Sequence, residues 1–178
     1  MGLRNTSTAW GWPARGFHWV MAALFGLQWL AGEYDEAFGG RGFHVSLGIV
    51  LALLLVLRLA WRLTNPVPNP PPGTSALVAL ASQLTHWAWY ALLIALPVTG
   101  QMYVQAKNKV VSFFGLFDLP LLMAKNPQLA ELAEEAHKTL AVLFLVLLGL
   151  HVAAALKHHL IDRDDVLRRM WRGTPPLR

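Results

Sequence analysis

Residues 137–151 read HKTLAVLFLVLLGLH, an apolar run with a histidine at each end. The two histidines are fourteen residues apart, and at about 100° per residue that spacing falls about 40° short of four helical turns. On a helix both imidazoles would therefore leave nearly the same face, about 21 Å apart along the axis. Ionisable side chains within membrane segments are uncommon and usually functional. The stretch predicts a membrane-spanning helix that presents one ligand near each bilayer surface.

The composition of the whole chain is typical of a protein embedded in a lipid bilayer. Of its 178 residues, 55% are hydrophobic and only 14% are charged, whereas soluble domains carry about 25% charged residues. No cysteine is present, which excludes disulfides, thiolate-bound iron–sulfur clusters and covalently attached c-type haem. The basic residues flank the apolar blocks rather than forming a patch, so we predict no binding to nucleic acid.

Four apolar segments are long enough to cross a bilayer, which takes about 20 residues. They cover roughly residues 17–32, 43–63, 84–104 and 137–156. No repeat or second domain is evident, so residues 1–178 are predicted to form one all-α domain, an integral membrane four-helix bundle. A proline-rich stretch, residues 65–73, is predicted to be a stiff connector. Asn126 and Pro127 are predicted to begin a short helix between spans three and four.

Charge in the loops sets the predicted orientation of the bundle. The side that holds both termini and the second loop carries ten basic residues, and the opposite side carries five. Because basic residues are retained inside, both termini are predicted to be cytoplasmic.

The remaining intramembrane histidines lie at two matching depths. His44, at the start of span two, has the depth of His137, and His18, at the start of span one, has the depth of His151. Imidazole binds haem iron and bundle cores build cofactor sites from facing helices, so two bis-histidine sites are predicted. His86 begins span three at the depth of His18 and could replace it. The alternative is that each histidine merely reaches water at the interface.

Further residues have a candidate role beside the histidines. Arg58 lies fourteen residues after His44, so it shares that face of span two at cytoplasmic depth. Arginine suits carboxylates, which makes Arg58 a candidate partner of a haem propionate; ordinary positive-inside placement is the alternative. Small residues within the spans let helices or a macrocycle approach closely, although helix packing alone explains them equally well. These are Gly26, Gly48, Gly100 and Gly149.

Several stretches together carry a family resemblance. They are residues 16–19 (GFHW), 42–48 (GFHVSLG), 58–62 (RLAWR), 95–100 (ALPVTG), 135–140 (EAHKTL), 149–151 (GLH) and 157–159 (KHH). Their order and spacing resemble the bacterial cytochrome b561 family, in its small dihaem, superoxide oxidase type. The resemblance implies a multi-pass protein of the bacterial inner membrane with two haem b groups. It assigns one haem to His44 and His137 and the other to His18 and His151.

The resemblance also implies exchange of electrons with ubiquinone, and one family activity is oxidation of superoxide with delivery of electrons to quinone. A bis-histidine iron has no open coordination position, so it should exchange electrons with quinones, superoxide or a periplasmic redox donor. No side chain is predicted to be catalytic in itself. His158 and His159 are interpreted as interfacial residues, which could also line a quinone site and supply a proton.

Superoxide would be drawn to the periplasmic side by cationic side chains, because clefts of one charge steer ions of the other. The candidates are Arg41, Lys107, Lys109 and Lys138. That side carries seven acidic residues against five basic ones, so only a local cationic pocket could act in this way.

Two other functions are compatible with the pattern. One is an electron carrier or membrane-anchor cytochrome b subunit for a partner dehydrogenase. The other is a zinc transporter, but transporters commonly show inverted repeats and charged residues at the midplane. The histidines here lie near the surfaces, which disfavours the transporter.

Overall fold

Most of the structure, a computed structural model that describes residues 2–173, consists of long helices. Met1 and residues 174–178 of the predicted domain lie outside the described residues. Within them are four long helices, α1 (Trp12–Glu33), α2 (Arg41–Thr64), α3 (Ala76–Ala106) and α4 (Pro127–Lys157). A 3₁₀ turn (Asp35–Phe38), strands β1 (Ser112–Phe113) and β2 (Phe117–Asp118), a π-helical turn (His158–Asp162) and the short α5 (Val166–Trp171) complete the chain.

Three of the described helices are long and apolar enough to cross a membrane by length and composition. They are α2, α3 and α4 together with the π-helical turn after it. Helix α1 contains the predicted first span but is not among the three, because polar residues such as His18 and Gln28 lower its apolar content. The helical character is as predicted, and every helix exceeds its predicted span at both ends. The four-span topology remains a prediction.

The start of α4 differs from the prediction. Asn126 caps the helix, since its Oδ1 accepts the backbone N–H of Leu129 at 3.0 Å, and Pro127 occupies the first helical position. The predicted separate short helix is wrong, because the same helix continues without a break to Lys157. No proline or glycine interrupts residues 128–148, so nothing ends the helix between the loop and the membrane segment.

A small antiparallel hairpin precedes α4, with Ser112 paired to Asp118 and Phe113 to Phe117. Its turn passes through Gly115 at φ 74°, a left-handed conformation that glycine adopts without steric cost. The hairpin is fastened to α2, because the Phe114 N–H donates to Ser46 Oγ at 3.0 Å. Ser46 is fully buried.

The described chain forms two compact units. The terminal unit comprises residues 2–20, 56–89 and 145–173, and the hairpin unit comprises residues 21–55 and 90–144. Met21, Leu47 and Leu51 belong to the core of the hairpin unit. Many apolar side chains are exposed instead; Val56 is 65% exposed and Val146 57% exposed. Helices that are apolar on their outer face are suited to lipid rather than to water.

Candidate functional site

Two histidines of the hairpin unit, His44 of α2 and His137 of α4, lie next to each other with their rings nearly perpendicular. Their ring centroids are 6.2 Å apart and their planes cross at 80°. A metal–imidazole bond is about 2 Å long and the bonding nitrogen lies about 1.1 Å from its ring centroid, so a metal held between two imidazoles sets the centroids about 6 Å apart. The spacing of this pair fits ligation of one metal by both rings.

Hydrogen bonds orient both rings of this pair. His44 Nδ1 lies 3.0 Å from the Gln28 carbonyl oxygen, and His137 Nδ1 lies 3.0 Å from the Leu96 carbonyl oxygen and 3.2 Å from Thr99 Oγ1. Since a carbonyl oxygen only accepts, Nδ1 carries the proton in each ring and Nε2 keeps the lone pair that binds a metal. This is the arrangement commonly found in metal-ligating histidines.

Gln28 also touches the metal-binding side of His44. Its Nε2 lies 3.1 Å from the His44 carbonyl oxygen and 3.2 Å from His44 Nε2. The amide therefore donates toward the lone pair that would bind a metal. Ligation through His44 requires that the Gln28 amide turn away from this nitrogen.

Glycines make room for the two imidazoles. A Cβ atom at Gly32 would lie 2.9 Å from His44 Cε1 and Nδ1, and one at Gly100 would lie 3.2 Å from His137 Cε1. Among the span glycines singled out in the sequence, Gly48 approaches Gln28 Nε2, whereas a Cβ at Gly26 or Gly149 would meet no atom within 4 Å. Gly100 and Gly32 thus permit close approach of an imidazole, and Gly32 had no sequence signal.

The terminal unit contains a second pair with the same spacing. The ring centroids of His18, on α1, and His151, on α4, are 6.1 Å apart, with an interplanar angle of 58°. Trp89 of α3 meets the His151 ring edge-on at 5.8 Å. The arrangement again fits a metal between two imidazoles.

His86 also lies in this neighbourhood but is held differently. Its Nδ1 is 2.6 Å from the Ser82 carbonyl oxygen, one turn earlier on its own helix. His86 and Arg58 both act electrostatically on His18 and on His151. The structure therefore brings His18 together with His151. His86 is instead hydrogen-bonded to the backbone of its own helix, α3.

Two arginines of α2 lie in the terminal unit. Arg58 is half-buried beside the His18–His151 pair, as its electrostatic interaction with both rings indicates. Arg62 places its guanidinium over the Trp10 ring, 5.8 Å from the centroid, a cation–π contact. Arg58 is thus the arginine near the imidazoles, and its role toward a propionate stays a prediction.

The two histidines after α4 differ in their surroundings. His158 is half-buried, and its Nδ1 lies 2.6 Å from Asp164 Oδ2 and 3.4 Å from Asp162 Oδ2. The Asp162 carboxylate also forms an ion pair with Lys157, whose Nζ lies 2.6 Å from Asp162 Oδ2. His159 is exposed. Of the two, His158 is the one fixed by a carboxylate.

Comparison with known proteins shows the family to which the chain belongs. The sequence model of the family described as prokaryotic cytochrome b561 matches residues 9–173. Cytochrome b561 homolog 2 of Escherichia coli (strain K12) is 36% identical over 178 residues, covering 96% of this chain and 95% of that protein. Probable superoxide oxidase CybB of Yersinia pestis is 31% identical over 162 residues, covering 87% of this chain and 91% of that protein. The chain belongs to the prokaryotic cytochrome b561 family.

Membership of the cytochrome b561 family establishes the general character of the protein. It is a helical bacterial membrane protein that binds b-type haem and transfers electrons across the membrane. The relative named as a superoxide oxidase supports an oxidoreductase role.

Most of the predicted steering cations of this cytochrome are paired with acids. Arg41 Nε lies 3.2 Å from Asp35 Oδ2, and Arg41 Nη1 donates to the Tyr103 hydroxyl at 3.3 Å. Lys107 Nζ donates to the same hydroxyl at 2.7 Å and lies 3.4 Å from Glu134 Oε2. The hydrogen bond to Tyr103 raises the pKa of Lys107, which keeps it charged. Their carboxylate partners weaken the field that either cation exerts on an approaching anion.

The other two side chains predicted to attract superoxide, Lys138 and Lys109, differ in whether they form ion pairs. Lys138 lies 3.1 Å from Glu134 and 3.5 Å from Glu135, its neighbours one turn earlier on α4. Lys109 is exposed and forms no ion pair with any residue between 2 and 173. Lys109 is therefore the candidate whose charge is least compensated.

Several residues around the cytochrome's histidines were not predicted from the sequence. The sequence analysis assigns no role to Gln28, Leu96, Thr99 or Trp89. The signal available for Gln28 is its depth, because a buried amide in a span needs a partner. A carbonyl acceptor such as that of Leu96 has no side-chain signature at all.

Proposed function

We propose that this protein is a single-domain, four-span cytochrome of the bacterial inner membrane that holds two b-type haems and transfers electrons from superoxide to ubiquinone. Both termini face the cytoplasm, superoxide reacts at the periplasmic side, and quinone is reduced at the cytoplasmic side. The observation that carries the proposal is the equal spacing of two imidazole pairs, 6.2 Å and 6.1 Å between centroids, each with one ring from α4.

The haem ligands in this proposal are His44 with His137 and His18 with His151. Gln28 and Leu96 carbonyls fix the tautomer of the first pair. A b-type haem ligated by two imidazoles supplies one-electron transfer without an open coordination position. Arg58 lies beside the second pair and would offer its guanidinium to a propionate.

The overall reaction balances without a further reactant. Oxidation of two superoxide anions to two molecules of dioxygen releases two electrons. Reduction of one ubiquinone to ubiquinol takes up those two electrons and two protons. The chain must therefore admit an anion at one side and deliver protons at the other.

At the periplasmic side Lys109 is the main side chain that attracts the anion. Its charge is not compensated by any described carboxylate, whereas Arg41, Lys107 and Lys138 are paired with Asp35 and Glu134. A single exposed cation exerts only a modest, salt-screened attraction. The expected contribution of steering to the rate is therefore small.

At the cytoplasmic side His158 delivers the proton. Asp164 accepts from Nδ1 at 2.6 Å, so the ring is held with Nε2 directed away from the carboxylate. A carboxylate that orients a histidine in this way selects its tautomer. His159 is exposed and without such an orienting group among residues 2–173, so it is the weaker candidate.

The proposed function is tested on purified protein in detergent. A dithionite-reduced minus oxidised spectrum with a haem-to-protein ratio is expected to give two b-type haems per chain. Ubiquinone supplied together with a superoxide-generating system is expected to become ubiquinol, and superoxide dismutase is expected to suppress the product. A protein with both haems that reduces no quinone would contradict the substrate assignment, and a protein without haem would contradict the site.

Replacing Asp164 by asparagine is expected to slow quinone reduction roughly tenfold, because a positioned proton donor contributes on the order of 100-fold or more to a rate. The haem-to-protein ratio should not change, since Asp164 contacts His158 and Val166 and none of the four proposed ligands. The measurement is stopped-flow reoxidation of dithionite-free reduced protein by ubiquinone. Asp118→Asn in the hairpin is the matched control, and equal rates in both variants would contradict proton delivery by a His158 that Asp164 orients.

One observation favours a different function, an electron carrier or membrane-anchor subunit for a partner dehydrogenase. Three of the four cations expected to draw superoxide are ion-paired, as they would be on a surface that meets another protein. Under this alternative the purified protein carries both haems but forms no ubiquinol from superoxide. The experiment above therefore separates the two functions.

A further inference from the structure

The segment that follows α4 is attached to the beginning of α1. We call residues 164–173, which include α5, the C-terminal strap. Arg15 Nη1 donates to the Trp171 carbonyl oxygen at 3.1 Å, and Trp19 Nε1 donates to the Met170 carbonyl oxygen at 3.0 Å. The Trp19 and Trp171 rings meet edge-on, with centroids 5.0 Å apart. The strap thus holds α1 through two hydrogen bonds and one aromatic contact.

The two residues that the strap holds lie on the same side of His18. At about 100° per residue, Arg15 leaves the helix about 60° from His18 and Trp19 about 100° from it in the same direction, so the two side chains are only about 40° apart around the axis. The Trp19 ring also contacts the His18 imidazole, with centroids 5.1 Å apart. Attachment at these two residues, one turn apart on one side of His18, restricts rotation of α1 about its own axis.

The contact between the strap and Arg15 is buried and tightly packed. Arg15 is only 9% exposed, and its guanidinium meets a carbonyl oxygen at the C-terminal end of α5, where a helix favours a cation. Gly173 follows at φ 86°, and a Cβ there would lie 3.1 Å from Arg15 Cζ. Glycine both permits the left-handed turn and leaves space for the guanidinium.

The strap is itself fixed elsewhere in the terminal unit. The Val166 N–H donates to Asp164 Oδ1 at 3.0 Å, and Asp164 also binds His158. Arg169 Nη1 donates to the Asn69 carbonyl oxygen at 3.0 Å in the proline-rich connector. The strap is therefore bound to His158 through Asp164 and to the proline-rich connector through Arg169, in addition to its contacts with α1.

We propose that the C-terminal strap positions His18, with Trp19 and Arg15 as the positioning residues. A rotation of α1 by about 10° would move a ring nitrogen about 6 Å from the axis by about 1 Å, which is enough to degrade a ligand site. By fixing that rotation, the strap sets the angle at which the His18 imidazole faces His151. The inference rests on the proposed ligation of a haem by these two histidines.

The test compares full-length variants that carry both haems. In Trp19→Phe, which removes the N–H donor and keeps an aromatic ring, one of the two low-spin haem signals in the electron paramagnetic resonance spectrum is expected to shift. The midpoint potential of that haem should shift with it, while the other signal stays in place. The matched control is Trp29→Phe, an exposed tryptophan of the same helix, which should shift neither signal.

Two variants of Arg15 provide a second test. Arg15→Gln is expected to shift the same signal as Trp19→Phe, and Arg15→Lys to restore it in part. If Trp19→Phe does not fold, Trp171→Leu replaces it, because that change removes only an exposed ring from the strap. Unchanged signals in these variants would overturn the positioning role, whereas a wild-type protein without two haems would instead contradict the proposed function.

Discussion

Replacing His137 by alanine is expected to reduce the haem content of the purified protein from two groups per chain to one. The imidazole of His137 faces that of His44 at 6.2 Å between ring centroids, and alanine leaves His44 without a second ligand. The His18–His151 pair lies in the terminal unit and keeps its own two imidazoles. Superoxide-driven reduction of ubiquinone should fall by roughly 100-fold or more, since metal sites lose on the order of 10–100-fold even when a supporting group is removed.

A pyridine haemochrome assay against protein concentration measures the loss. His159→Ala is the matched control, because His159 is exposed and outside both pairs. The remaining haem in the His137→Ala protein should keep the spectrum of a bis-histidine centre. Retention of two haems, or loss of both, would be incompatible with two independent sites.

The part of the site that could be predicted is the part fixed by one helix. The spacing of His137 and His151 determines that both rings leave nearly the same face of α4. In the structure each of these rings does meet a histidine, His44 and His18 respectively. Helical periodicity is a property of one chain segment, so the face on which a residue lies does not depend on the neighbouring helices.

The supporting residues could not be predicted, because they depend on which helices are neighbours. Gly32 is recognisable only once α1 is known to run past His44, where a Cβ would lie 2.9 Å from the ring. The Leu96 carbonyl that orients His137 belongs to a third helix. Periodicity gives the face on which a residue lies, but it does not give the element packed against that face.

The short elements escaped prediction for a related reason. The hairpin strands have two residues each and α5 has six, too few for a periodic pattern to form. Short helices are unstable alone and depend on tertiary contacts. For α5 these contacts are those to Arg15 and Trp19. The proposed positioning of His18 depends on the same contacts, so it could not be predicted from the sequence.

Replacing His18 by alanine is expected to remove one haem, whereas replacing His86 by alanine is expected to remove none. Depth along the spans cannot separate the two residues, but their contacts can. The His18 ring lies 6.1 Å from that of His151, the spacing that also joins His44 and His137. The ring that lies at this spacing from His151 is therefore the better ligand, and the haem-to-protein ratio of the two variants decides between them.

The electron paramagnetic resonance spectrum adds a finer distinction to that ratio. His86 acts electrostatically on both His18 and His151, so His86→Ala should keep two low-spin signals and shift the midpoint potential of one. His18→Ala should lose the same signal that Trp19→Phe shifts, because both changes affect one ligand. Loss of a haem in His86→Ala with full haem content in His18→Ala would reverse the assignment. It would also remove the basis of the positioning role, since the strap is hydrogen-bonded to Arg15 and Trp19 on the helix of His18.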